Sequence, residues 1–373
     1  MSVAWAAHGS LRPRRFTRRT GPRSRGLPCR RAGCVPDEPL STDRPSAPAV
    51  LVADIGGTNA RFALAWPDGE RRPVLSSVLE FAAAQFGSLA QAASHYLTQI
   101  EAPTPRASVI AVASAVTGDL IKITNNPWSF SIAGVQRELG LERIEVINDV
   151  GAIAWAVPHL APQEVEPIGA ASAPAAGRRP ERHYSVIGSG TGLGVCRLLM
   201  RQGRAVVMES EGGHVAFAPG DPYEIAILQH LMKRHARVSV ERLVSGPGLQ
   251  NLYAAVCAVE GTAPNMDTPA AITAGAKLGA DAACRRAVEL LCAILGSYAG
   301  DVALMVGAWD GVYLGGGLTG TLLPWIQLGE FRRRFEGKGR FSSLMQTIPT
   351  FAIAHAQPGL LGAAACALDP TSA

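Results

Sequence analysis

Asp149 stands in the run IEVINDV, where a strand-like alternation ends and the helix-like GAIAWAVP begins. A carboxylate at such a junction has two readings. It can cap the helix, or it can act as a general base that takes a hydroxyl proton while the oxygen attacks phosphorus. Both stay open on this segment alone. EGGHVAF at 211–217 places Glu211 and His214 around two glycines, a pattern that predicts a loop rather than a helical i, i+3 pair. VERLVSGPG adds Glu241. His214 reads either as a core histidine or as a metal ligand, and no further ligands stand near it in sequence. Glu211, His214 and Glu241 together offer acceptors and a donor, which suits a polyol, because each hydroxyl both donates and accepts.

A phosphate needs a different kind of partner. Residues 54–59 read DIGGTN, with Asp54 ahead of Gly56 and Gly57, then Thr58 and Asn59. Neither GxxxxGK[ST] nor GxGxxG is present there, and the next residues, ARFALAW, favour a second strand over a helix. The unit is therefore strand, glycine turn, strand, and its backbone N–H groups can converge on an anion without a lysine. The pattern returns in HYSVIGSGTGLGVCRLL, residues 183–199, with Gly190, Thr191 and Gly192 in the turn. A third element, Gly315, Gly316 and Gly317, comes after GVYL. Any one of these could be an ordinary turn. Three of them, two with a threonine and one with a leading aspartate, predict two related halves, each offering a phosphate loop, and a strand end where a flat ligand lies close to the backbone.

These loops need a folded body to hold them. The chain has 373 residues, enough for two domains, and its 47% hydrophobic and 17% charged composition predicts a substantial core. No uninterrupted apolar run reaches the ~18 residues of a membrane span; the best candidate, AILGSYAGDVALMVG, is broken by Asp301 and several glycines. The net charge of +5 is concentrated at the start. Residues 1–47 hold ten arginines, no lysine and three acids, and the rest carries 25 basic against 27 acidic groups, so no nucleic-acid surface is expected on the body. The same Arg-rich, Pro- and Gly-rich 47 residues have no apolar periodicity and are expected to be disordered, as a tail, a transit-like segment, a basic arm or an upstream start. Seven scattered cysteines without a CxxC pair predict free thiols in a reducing compartment, the cytoplasm.

DIGGTNARFAL, TNNPWSFS, INDVGAIAWAVP, GSGTGLGV, EGGHVAFAP, ERLVSGPGLQNLY, KGRF and the terminal PGLLGAAACAL, in this order, resemble the bacterial glucokinase family of the actin-like ATPase and hexokinase superfamily. The likeness runs from about Val50 to the C-terminal region. It departs from the family pattern at Ala115, where a proline is usual, at PAAGRRPERH (174–183), which reads as an inserted surface loop, and in residues 1–47. The resemblance implies an α/β, two-domain actin-like ATPase (ribonuclease H-like) fold with a central cleft. A small domain, 48–158, would be completed by a C-terminal helix, 357–369, and a large one would span 159–356.

The resemblance has specific implications for the site. Asp149 would be the base for the 6-hydroxyl of glucose, with Asn148, Glu211, His214 and Glu241 binding the sugar and Asn125 and Trp128 in a loop closing over it. Asp54 would reach Mg²⁺ through water. Gly56, Gly57, Thr58 and Asn59, with Gly190, Thr191 and Gly192, would cradle the phosphates of ATP, and Gly315, Gly316 and Gly317 would border the adenosine. Glucose and ATP are then the expected partners, with no nucleic acid or membrane, and a homodimer is the assembly such a chain would form. The alternatives are a kinase of broader or different hexose preference, a sugar-sensing regulator and an actin-like structural ATPase. The regulator would be expected to carry an N-terminal helix-turn-helix and a cysteine-rich zinc motif, and the sequence has neither pattern.

Overall fold

In the computed structural model the apolar run ahead of the first glycine turn becomes β1 (Val50–Ile55), buried along nearly its whole length. Such a strand needs cover on both faces, and the rest of the chain supplies it. The structure describes residues 49–70, 72–123, 125–171, 180–279 and 281–369. The Arg-rich extension 1–47 and residues 174–179 of the inserted loop lie outside these residues.

β1 pairs antiparallel with β2 (Asn59–Pro67), as the sequence predicts, and β2 with β3 (Pro73–Ala82). On its other side β1 runs parallel to β4 (Ala107–Val112), and β4 to β7 (Arg143–Asn148), giving a five-stranded sheet in the order β3-β2-β1-β4-β7. A small hairpin, β5 (Leu120–Lys122) and β6 (Ser129–Ser131), carries Asn125 to Trp128 of the TNNPW stretch between its strands. One face of the sheet packs on α1 (Leu89–Gln99) and α2 (Ile132–Leu139), around Phe62, Tyr96 and Trp128. After β7 comes α3 (Asp149–Ala156).

The second sheet has six strands in the order β11-β10-β9-β12-β13-β8. They are β8 (Val165–Ile168), β9 (Glu181–Ser189), β10 (Leu193–Arg201), β11 (Arg204–Ser210), β12 (Gly311–Gly315) and β13 (Thr350–Ile353). Here the sequence expectation is corrected. Glu181 to His183, expected in a loop, are strand, because they pair with Arg201 to Leu199 of β10. The helices of this half are α4 (Pro222–Met232), α5 (Gly246–Glu260), α6 (Pro269–Leu278), α7 (Ala282–Val306), α8 (Gly317–Ile326), α9 (Glu330–Glu336) and α10 (Ser342–Met345). α7, which contains AILGSYAGDVALMVG, is the one described helix long and apolar enough to cross a membrane. It lies largely inside the core of this half.

The chain closes with α11 (Pro358–Leu368), which returns to the first sheet. Leu360, Ala363, Ala364 and Ala367 pack on Val52, Ala63, Val109 and Ile147. Its small residues let it come close to α3. A β-carbon on Gly362 would stand 1.6 Å from the carbonyl oxygen of Ala152. The opposite flank of α3 packs on β9 and β10 through Val150 and Ile153. α3 thus lies between α11 and the second sheet.

Candidate active site

The first residue to place is Asp149. Asn148, not Asp149, caps α3, its Oδ1 accepting the N–H groups of Val150 (2.9 Å) and Gly151 (3.2 Å). Asp149 is the first helical residue, and its Oδ1 accepts the adjacent N–H of Val150 at 2.9 Å. The capping role therefore falls to its neighbour, and the Asp149 carboxyl is left for other work. Burial, and then the nearby charge of Asp54, push its pKa up to about 6. Asp54, at the end of β1, is also raised by burial, against the pull of Arg61, whose Nη1 stands 3.5 Å from Oδ2. Asp54, on β1, and Asp149, directly after β7, thus act on each other's charge across β4.

The glycine elements divide into those that serve the fold and those that leave space. In the first turn the Gly56 N–H is bonded to Asn59 O (2.9 Å) and Thr58 O accepts from Ala83, while Thr58 itself is exposed. A β-carbon on Gly56 would meet nothing nearer than 3.7 Å. The Asn59 side chain turns away to Glu80. In the second turn Gly190 N–H bonds Gly192 O (2.9 Å), and a β-carbon on Gly190 would meet nothing. Gly192 is packed against the Glu241 carboxylate. Among the last three glycines, Gly315 fits against Ile153, and Gly316, at φ +89°, fits against the Ser189 carbonyl. Gly317 alone of the three faces open space. Gly190, Thr191 and Gly317 line a cavity of about 1180 Å³ between α5, α6 and α8, walled also by Thr273, Lys277 and Trp325. Sequence reasoning does not find those last three. They come from two helices, α6 and α8, and carry no local motif.

EGGHVAF holds a correction. Gly212–His214 form a 3₁₀ turn, and Glu211 and His214 are an i, i+3 pair after all, with Nε2 to Oε2 at 3.7 Å. The turn is that tight because Gly213 has no side chain: a β-carbon there would lie 1.8 Å from the Leu193 carbonyl oxygen. His214 is exposed, so it is not a core histidine, and its Nδ1 is 3.8 Å from Glu241 Oε1. The other Glu241 oxygen accepts the N–H of Leu193 (3.0 Å), immediately after the second glycine turn. The polar turn and the glycine hairpin are therefore fastened together. No group of three or more metal-ligating side chains occurs among the described residues.

The TNNPW loop also differs from expectation. Trp128 is 3% exposed, and its Nε1 donates to Phe86 O (3.0 Å), so it anchors the loop in the core instead of facing a ligand. Asn125 is exposed, with φ +56°. Asn126, which no sequence argument singles out, donates from Nδ2 to Gly56 O (2.8 Å) and ties this loop to the first glycine turn.

The glucokinase family model matches residues 51–370. The chain belongs to the glucokinase family. It is 49% identical to the glucokinase of Stenotrophomonas maltophilia (strain K279a) over 321 residues, covering 86% of this chain and 95% of that one. Among solved structures it is similar to a glucokinase from an Antarctic psychrotroph, at 35% identity and a TM-score of 0.77, covering 86% of this chain and 99% of the other. A Balamuthia mandrillaris glucokinase in complex with glucose shares the fold at 23% identity and a TM-score of 0.69, covering 86% and 93%. The fold is accordingly the α/β actin-like ATPase fold. Every polar residue gathered above, from Asp54 to Glu241, lies inside the span that the family model matches.

Proposed function

We propose that this protein transfers the γ-phosphoryl group of ATP to the 6-hydroxyl of glucose. The observation that carries the reading is Asp149, a carboxyl released from capping by Asn148 and raised by burial towards the working pH. In the step, the sugar O6 forms a bond to phosphorus, the bond from phosphorus to the bridging oxygen of ADP breaks, and the O6 proton passes to Asp149. Asn148, Glu211, His214, Glu241 and Asn125 hold the sugar. Backbone of the two glycine turns takes the phosphates, and the cavity beside Gly317 takes the adenosine.

Magnesium suits the residues present. Mg²⁺ keeps several waters and is usually held by one or two carboxylates plus substrate phosphates, and Asp54 beside the first glycine turn offers one such carboxylate. When bound it neutralises phosphate charge. Arg61, near Asp54, holds that carboxylate in place. We further read 48–158 with 357–369 as a small domain and 159–356 as a large one that close on the sugar and exclude water. The five described cysteines are buried free thiols, which suits the cytoplasm, and the product suits entry into glycolysis. A homodimer is the assembly we assign.

The test is a coupled assay for sugar 6-phosphate with Mg-ATP across glucose, mannose, fructose and N-acetylglucosamine. Strong preference for glucose is expected. Preference for another sugar would reassign the Glu211, His214 and Glu241 pocket, and folded protein without turnover on any of them would overturn the reading.

A further inference from the structure

Glu209 belongs to no motif. It is on β11, the edge strand of the second sheet, opposite Cys196 of β10. Its Oε1 accepts the backbone N–H of Asn148 at 2.8 Å. β7 is the edge strand of the other sheet, so Glu209 takes an outward amide of that strand's last residue, one position ahead of Asp149. The fit around it is close. A β-carbon on Gly151 would stand 2.4 Å from the same oxygen. Val150, just before it, is also fixed on the second sheet, where β-carbons on Gly194 and Gly188 would lie 2.3 and 2.6 Å from its Cγ2. Residues 148, 150 and 151 are thus all held by β9, β10 and β11, although β7 of the other sheet leads into them.

β11 continues directly into the Glu211–His214 turn. Ser210 holds that exit, its Oγ donating to Val195 O (2.8 Å) and accepting the N–H of Gly212 (3.3 Å). One short segment therefore grips the Asp149 junction at Glu209 and begins the sugar-facing turn two residues later. The helix does not need Glu209 as a cap, because Asn148 already fills that role. The extra bond instead adds a fixed spacing between two parts of the site. We propose that Glu209 is a positioning residue for phosphoryl transfer, tying the strand–helix junction that presents Asp149 to the strand end that bears Glu211 and His214. The proposal rests on the reading of Asp149 as the base.

The experiment compares Glu209→Ala, Glu209→Gln and Asp149→Asn with the parent full-length chain in the coupled glucose assay, well below each variant's melting temperature. Misplacing a reacting group by about 1 Å costs up to about a hundredfold. Glu209→Ala is expected to lower kcat about tenfold while the KM for ATP stays within about twofold. Glu209→Gln keeps an accepting oxygen and is expected to restore kcat to within about threefold of the parent. A merely structural role would lower the melting temperature and leave kcat in place. Folded Glu209→Ala with unchanged kcat, or Glu209→Gln as impaired as Glu209→Ala, overturns the proposal. Should Glu209→Ala not fold, Glu209→Asp, which withdraws the oxygen by one methylene, takes its place with the same expectation. Asp149→Asn separates the two ideas: if it retains turnover, the base reading fails, whatever Glu209 does.

Discussion

Asp149 is held at an energetic disadvantage. Its carboxyl group is protonated more readily in the folded chain than in the unfolded one, because burial and the neighbouring Asp54 both oppose its charge. Above about pH 6 the folded state therefore carries an unfavourable charge, and as the pH falls through 6 towards the ordinary aspartate range the group protonates and the penalty is relieved. With Asp149 as the proposed base, activity runs the other way, since the base must be ionised. The acid limb of the kcat profile is expected to have an apparent pKa near 6, checked by steady-state rates from pH 5 to 8. Asp149→Asn is expected to lower kcat by about a thousandfold or more, yet to stabilise the protein at pH 8 by on the order of 2 kcal/mol, a gain that fades below about pH 6. Thermal melts of both proteins across this range test the second half; equal melting temperatures at pH 8 would contradict it.

At the scale of elements, the glycines make two opposite predictions. Gly213 is packed on the Leu193 carbonyl and Gly317 faces the open cavity. Gly213→Ala forces the 3₁₀ turn off β10, displaces Glu211 and His214, and is expected to raise the glucose KM at least about tenfold with a stability loss of about 2 kcal/mol. Gly317→Ala is expected to leave the melting temperature unchanged and to raise the ATP KM instead. Kinetics in each substrate, with melts, separate the two; interchanged effects would refute this division of labour. Much of this is legible in the sequence, for a local reason. A strand, a glycine turn and a strand occupy consecutive residues, so DIGGTN and GSGTGLG read directly as hairpins, and IEVINDV as a strand meeting a helix. Thr273, Lys277 and Trp325 are not legible, because a cavity wall built from α6 and α8 leaves no pattern in the chain. Trp128 is offered only by the family resemblance, as part of a loop over the sugar, and the long-range bond of its indole N–H to Phe86 O has no local signature in the sequence. Asn148 and Asp149 are adjacent, and only the bond geometry shows which of them caps α3.

On the scale of the molecule, α3 is the element on which both halves of the architecture rest. One flank meets α11 at backbone contact distance and the other meets the second sheet. The chain's last helix thus helps hold a junction that lies more than 200 residues earlier in sequence. Gly362→Ala would push α11 against Ala152 O and is expected to cost about 3 kcal/mol and to lower kcat as well, since α3 begins with Asp149. Gly118→Ala, where a β-carbon meets nothing, serves as the control, and urea unfolding of both checks it. A silent Gly362→Ala would mean that the two helices have slack that the contact denies.

Glu241 has one carboxylate oxygen near His214 and the other on the backbone that leaves the second glycine turn. A single rigid group therefore borders the places assigned to both substrates, and neither can shift it unnoticed by the other. Binding equilibria around such a group form a closed cycle. Whatever factor by which the sugar sharpens the hold on nucleotide, the nucleotide must return to the sugar in equal measure.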